Sequence, residues 1–287
     1  MDKGTKGLSA AAAKFSFLLP ALIFFGFAVI FPFFRGFDVA FTNWDGISRE
    51  SQFIGLDNFA RIITNRDVLR PLGISLHYAL LNTIGVNLFA LTFALFVVRK
   101  HVGHKMHRLL FFMPTALNSV LVIFIWRYIY SFILPELFGV RNYLAGLDSV
   151  ITAATAITIW GGSGVAMMIY IAALTGVPTE LYESAKIDGA GALRRFFNIT
   201  IPMIMPAFTV NITLTLTISL SSTGLFLAAT GGGPAGASES MGLYIYKHLF
   251  VFARAGYGQA LAYAFLVVVL AIGLTLTALF RKREVEL

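Results

Sequence analysis

The chain has 287 residues, 57% of them hydrophobic and only 13% charged, with a mean hydropathy of +0.79. Soluble domains carry roughly 25% charged residues, so this much apolar surface excludes a water-soluble fold and indicates an integral membrane protein. The lack of cysteine excludes disulfides, thiol catalysis and cysteine metal sites, and the net charge of +8 fits basic loops beside membrane spans better than a nucleic-acid surface.

A helix needs about 20 apolar residues to cross a bilayer. Lys3, Lys6 and Lys14 precede the first such run, 15–37. No small-residue cleavage site follows it, so it reads as a span and not as a signal peptide. The loop from Asp38 to Pro71 holds TNWDG (42–46) and FIGLDNFARII (53–63); Asp45-Gly46 reads as a turn and the second stretch as a short amphipathic element. Further spans are expected at 75–98, 109–133, 150–174, 204–229 and 259–280. TGGGPAGASES (230–240) reads as a flexible turn; no Gly-Lys-Ser/Thr follows Gly231-Gly232-Gly233-Pro234, so it is not a nucleotide loop. The expected architecture is all-α: one membrane domain, 1–287, with six spans and both termini on one side.

Basic residues orient it. With the N-terminus in the cytoplasm, the inner segments hold 13 Lys and Arg against 6 acidic residues, a net +7. The outer segments and adjoining span ends hold 9 against 8, a net +1. The positive-inside rule then places both termini, and the polar segment between spans four and five, in the cytoplasm.

That segment, LYESAKIDGAGALRRFFNITIPMIMP from Leu181 to Pro206, is either a solvated connector or a docking element for a soluble partner. Glu183 sits near one end of a short helix that Gly189 can end by taking a positive φ. Ala185, Gly189 and Ala190 are small enough to let another surface approach closely, and Asp188 lies among them. Pro202 and Pro206 mark a rigid entry to the fifth span.

Within span five, Asn211, Thr215, Ser219 and Ser222 follow spacings of 4, 4 and 3 and so share one helical face. Such a stripe serves either contacts between helices or a water-filled path. His101, His104 and His107 have helical spacing but no nearby carboxylate or cysteine, and read as part of a basic loop and not as a metal site. Arg127, with Trp126, Tyr128 and Tyr130, reads as an interfacial anchor. No catalytic triad or paired carboxylates lie in the spans. The scarcity of charge there argues against an ion-coupled transporter.

The segment closely resembles the cytoplasmic loop of permease subunits of binding-protein-dependent ABC importers, whose pattern is Glu-Ala-Ala, three residues, Gly, then Ile-x-Leu-Pro. Here it is Glu183-Ser184-Ala185, Gly189 and Ile199-Thr200-Ile201-Pro202, with Ser184 and Ile201 departing from it. The resemblance extends through FLLPALIFF, FTNWDG, GLDNF, LTGVPTELYE and TGGGPAGASESMGLYIY, and looks like the sugar-importing branch of maltose and glycerol-phosphate type. It implies a type I importer permease fold in a bacterial-type cell (inner) membrane, with a coupling helix in the loop 178–203 whose core is Glu183, Ala185, Asp188, Gly189 and Ala190. It implies as partners a second permease, giving a heterodimer, two cytoplasmic ATPase subunits, and an extracytoplasmic sugar-binding protein. ATP and magnesium would be held by the ATPases, with no catalytic residue, cofactor or metal in this chain and no nucleic-acid partner. It also implies that Thr115, Ser119, Thr158, Gly162, Thr215, Ser219 and Ser222 face the pore, beside Asn211 of the stripe. Neutral hydroxyls suit a neutral sugar, whereas a glycerol phosphate cargo should require Arg or Lys in the path.

Overall fold

The computed structural model describes residues 15–99 and 103–284. Lys3, Lys6, Lys14, Lys100 and His101 lie outside them. The described residues form helices α1 (Phe15–Ala40), α2 (Asp57–Thr64), α3 (Leu69–Val98), α4 (His104–Ala116), α5 (Ser119–Phe138), α6 (Val150–Gly176), α7 (Thr179–Ile187), α8 (Ala192–Met203), α9 (Met205–Leu220), α10 (Thr223–Ala229), α11 (Met241–Phe250) and α12 (Ala255–Arg281). The extended pairing among them is a single bridge, Thr42 with Phe53.

Among the described residues, α1, α3, α5, α6 and α12 are each long and apolar enough to cross a membrane, and α8 with α9 qualify together as a bent pair. Two expected spans are corrected in detail. The stretch 109–133 is not one helix: α4 ends at Ala116, and α5 restarts at Ser119 after extended backbone at Leu117 and Asn118. The Asn118 side chain accepts from the Val120 amide at 2.9 Å, so an N-cap within the apolar run starts the new helix. The stretch 204–229 is broken as well. α8 and α9 bend by 66° about Ile204, with Pro202 and Pro206 each in the first turn of a helical segment. α9 then stops at Leu220, before α10.

The described residues fall into two compact units, 15–64 with Lys247–Ala264, and Asn65–Tyr246 with 265–284. In the first, Phe33 and Phe37 set their rings edge-on against Tyr263 at 5.4 and 5.3 Å, and the Tyr263 hydroxyl donates to the Phe33 carbonyl. Buried Asn58 donates to the carbonyls of Ala40 (2.9 Å) and Thr42 (2.8 Å), fastening α2 under the loop. Asp45 makes the expected turn. Its Oδ1 accepts from the Ile47 amide, the Ser48 amide and the Ser48 hydroxyl, each at 2.8 Å. The Ile47 amide leads these donors in holding the carboxyl below the ordinary carboxylate value.

The second unit is built on α3 against α6. Ala79, Ala90 and Ala94 on α3 and Ala154 on α6 are fully buried, and small residues let apolar helices approach closely where lipid gives no hydrophobic drive. Glycines allow the same closeness: a Cβ at Gly85 of α3 would collide with Ile159 of α6, and one at Gly164 of α6 with Thr115 of α4. Two buried clusters result. One contains Tyr78, Ile157 and Phe226, with Tyr78 edge-on to Phe226 at 4.9 Å. The other contains Val86, Met167, Tyr170 and Ile204. The Tyr170 hydroxyl donates to Asn87 at 2.7 Å, so a polar pair inside an apolar layer is satisfied.

Candidate functional site

A cavity of about 460 Å³ opens within the second unit, among α3, α5, α6 and α9 and the ends of α4 and α10. Its wall includes every residue of the expected path: Thr115, Ser119, Thr158, Gly162, Asn211, Thr215, Ser219 and Ser222. The remainder is mostly aliphatic, with Val86, Val122, Ile157, Leu214 and Ile218 among it, and no Asp, Glu, Lys or Arg among the described residues lines it. Such a wall can hold a ligand by apolar contact and neutral hydrogen bonds without asking it for a charge.

The residues reach the wall in different ways. Asn211 is 2% exposed and donates to the Ala166 carbonyl at 3.1 Å, so it also ties α9 to α6. Thr215 and Ser219 each return their hydroxyl proton to the carbonyl four residues back, both at 2.6 Å, which is how a hydroxyl satisfies itself in an apolar helix. Asn211 therefore both makes a helix contact and lines the cavity. Ser222 needs a correction. It does not continue the helical face, because α9 has ended, and it precedes α10 with φ −78° and ψ 84°. It lines the same cavity by virtue of that break. Gly162 has open space where a Cβ would stand. Thr115 keeps a buried hydroxyl with no hydrogen-bond partner.

Sequence reasoning missed Tyr78 and Asn82 on α3. Asn82 accepts from the Thr158 hydroxyl and donates to the Ser219 hydroxyl, both at 2.8 Å, while the Tyr78 hydroxyl donates to Thr158 at 3.2 Å. The signal was available: Asn82 is a carboxamide inside an apolar span, and Tyr78 stands one turn from Asn82.

The 178–203 segment is built differently. α7 ends in a left-handed glycine, Gly189 at φ +75°. The Gly189 amide donates to the Lys186 carbonyl at 3.1 Å and the Ala190 amide to the Ala185 carbonyl at 2.8 Å. This is a Schellman ending, so Ala185, Gly189 and Ala190 form one backbone device that stops the helix. Glu183, Asp188 and Gly189 are exposed, while Ala185 and Ala190 are half-buried. Ile187 is 88% and Leu193 75% exposed. The elbow is mounted rigidly, since Tyr182 packs against the second cluster and shares a 3.0 Å hydrogen bond with Thr200 on α8.

The remaining sequence features take structural places. His107 packs its ring against Phe96, and no described group of three His, Asp or Glu is placed to hold a metal. Arg127 is exposed and donates to the Ala228 carbonyl at 3.4 Å, bridging α5 to α10. Trp126 packs against Tyr130 and Trp160 at 5.4 and 5.9 Å. In the glycine-rich turn, Gly231, Gly232 and Gly236 have positive φ, and Thr230 and Ser238 share a 2.7 Å hydrogen bond across it.

A bacterial alginate ABC transporter, solved in complex with alginate pentasaccharide-bound periplasmic protein, matches this fold with a TM-score of 0.83 at 20% identity, over 98% of each chain. Residues 86–283 match the family model described as binding-protein-dependent transport system inner membrane component, and the chain belongs to that family. It is a multi-pass membrane protein of an ABC importer, and its family is one of transport permeases. It is 29% identical over 202 residues to the probable starch degradation products transport system permease protein AmyD of Thermoanaerobacterium thermosulfurigenes, covering 68% of this chain and 69% of that one. It is 34% identical over 214 residues to the diacetylchitobiose uptake system permease protein NgcF of Streptomyces coelicolor, covering 66% and 59%.

Proposed function

We propose that this chain forms half of the path for ATP-driven uptake of a neutral sugar or oligosaccharide handed over by an extracytoplasmic binding protein. The observation that carries this reading is the cavity wall, which offers hydroxyls and carboxamides from five helices and, among the described residues, no charged side chain. A sugar needs hydrogen bonds in several directions and apolar contact for its ring faces, and this wall supplies both. A phosphorylated or anionic cargo would leave its charge unpaired there. The names of AmyD and NgcF, which speak of starch degradation products and diacetylchitobiose, fit such a cargo.

In this reading Thr115, Ser119, Thr158, Gly162, Asn211, Thr215, Ser219 and Ser222 form the path. Both termini and the 178–203 elbow lie in the cytoplasm. Glu183, Ala185, Asp188, Gly189 and Ala190 seat in a cleft of an ATPase subunit, with Ile187 and Leu193 giving the apolar part of the contact. Two such subunits bind ATP and magnesium, a second permease completes the path as a heterodimer, and the complex sits in the cell (inner) membrane. When the ATPases close, the movement passes through the elbow to α8 and α9 by way of the Tyr182–Thr200 contact.

The test is uptake into proteoliposomes holding this chain, its ATPases, its second permease and its binding protein. ATP-dependent accumulation of maltotriose or diacetylchitobiose, with none of glycerol 3-phosphate, is the expected result. The opposite preference would replace the sugar reading with a phosphate-ester one.

A further inference from the structure

Asn82 does more than line the cavity. It is 6% exposed, and its carboxamide is divided between two other helices: Oδ1 accepts from Thr158 on α6, and Nδ2 donates to Ser219 on α9, each at 2.8 Å. One side chain of α3 thus joins the three helices that make the wall. Its partners are unequal to it in one respect. The single Thr158 proton has two further acceptors within reach in its own helix, the carbonyls of Thr155 at 2.9 Å and Ala154 at 3.3 Å. Ser219 already donates to the Thr215 carbonyl at 2.6 Å, so its bond from Asn82 uses only a spare lone pair. Both hydroxyls therefore remain satisfied within their own helices if the carboxamide turns away. Asn82 has no such reserve, and a buried amide without partners is costly. It can leave its partners only for a group that both donates and accepts.

A sugar hydroxyl is such a group. We infer that Asn82 is a specificity-determining contact for the cargo, exchanging Thr158 and Ser219 for cargo hydroxyls. Tyr78, whose hydroxyl lies 3.2 Å from Thr158, holds that hydroxyl in place during the exchange. The inference rests on the saccharide reading above. It adds α3 to a path that sequence reasoning confined to the later spans, and it makes recognition and the opening of the α3–α6–α9 seam one event.

The experiment is uptake by the whole reconstituted importer, comparing maltotriose, or diacetylchitobiose if that is the sugar carried, with a set of its monodeoxy analogues. The unaltered protein should move at least one analogue roughly tenfold more slowly than the parent sugar, the loss expected when one or two neutral hydrogen bonds disappear. In Asn82→Leu that penalty should vanish, with parent and analogue moved at equal, reduced rates. Asn82→Asp keeps the size of the side chain and an acceptor for Thr158. It serves if Asn82→Leu does not assemble, and its penalty should shrink by several-fold. A residue that only glues helices would lower the melting midpoint of the complex and slow parent and analogue in proportion. An unchanged penalty in both variants would overturn the inference while leaving the sugar reading intact. Failure of the unaltered importer to move either sugar would overturn both.

Discussion

The cavity wall and the elbow after α7 use the same short list of residues, Ser, Thr, Ala, Gly and a few acids or amides, in opposite ways. In the wall, Asn82, Asn211, Thr158 and Ser219 each find hydrogen-bond partners inside the molecule, and the polar groups are divided among helices far apart in sequence. In the elbow, Glu183 and Asp188 stand exposed beside Ile187 and Leu193, and the helix stop is held by backbone hydrogen bonds. A buried polar group is costly unless it finds a partner, whereas an exposed apolar side chain is common on protein surfaces. The difference is between polar groups whose partners lie inside the bundle and polar and apolar groups left at the surface.

The largest effect expected from breaking this contrast is at Gly189. Its φ of +75° is a left-handed conformation that costs an L-residue about 1–2 kcal/mol, and nothing stands within 4 Å of where its Cβ would be. Gly189→Trp should abolish ATP-driven uptake in proteoliposomes while the permease still folds; normal uptake would rule out close docking at the elbow. Glu183→Ala should act in the same direction and less severely. On the cavity side, changing Thr215, Ser219 and Ser222 together to Ala should lower uptake roughly tenfold with the ATPase complex still assembled. Unchanged kinetics would return these residues to helix packing.

A smaller effect should come from the mount of the elbow. Tyr182→Phe removes one hydrogen bond to Thr200, worth about 0.5–1.5 kcal/mol. It should raise the ATP hydrolysed per sugar moved and speed amide exchange in α7, without changing discrimination among sugars. If discrimination changed as well, elbow and cavity would not be separable. The smallest effect concerns the Asp45 turn, which belongs to neither region. Its carboxyl titrates below the ordinary value because the charged form accepts three hydrogen bonds, with the Ile47 amide foremost. The stabilisation is therefore present above the unfolded-state value near 3.8 and is lost as pH falls through the lower, folded one. Trp44, whose indole donates to Ser48 at 2.8 Å, should report that loss by its fluorescence only in this acid range, and Asp45→Asn should flatten the response.

Local chemistry made much of this legible in advance. Runs of apolar residues long enough to span a bilayer announce helices whatever their neighbours, and the positions of the Gly189 stop, the Asp45 turn and the Pro202 and Pro206 entry follow from backbone rules that act over a few residues. The polar residues of the stripe were visible because a bilayer makes them conspicuous. Two kinds of information lay beyond the sequence. The first is where apolar runs break. Asn118 caps a helix within one, and α9 stops at Leu220, because the freed backbone groups are satisfied locally, by the Asn118 side chain in one case and by the turn through Ser221 and Ser222 in the other. The second is partnership across the bundle. That Asn82 meets Thr158 and Ser219, 76 and 137 residues away, depends on how α3, α6 and α9 pack, and no spacing along one helix encodes it. The sequence by itself determined a membrane-spanning helical chain with a polar elbow. Only tertiary packing decided which of its neutral polar groups share one cavity, because hydrogen bonds between helices are chosen by proximity in space and not by period along the chain.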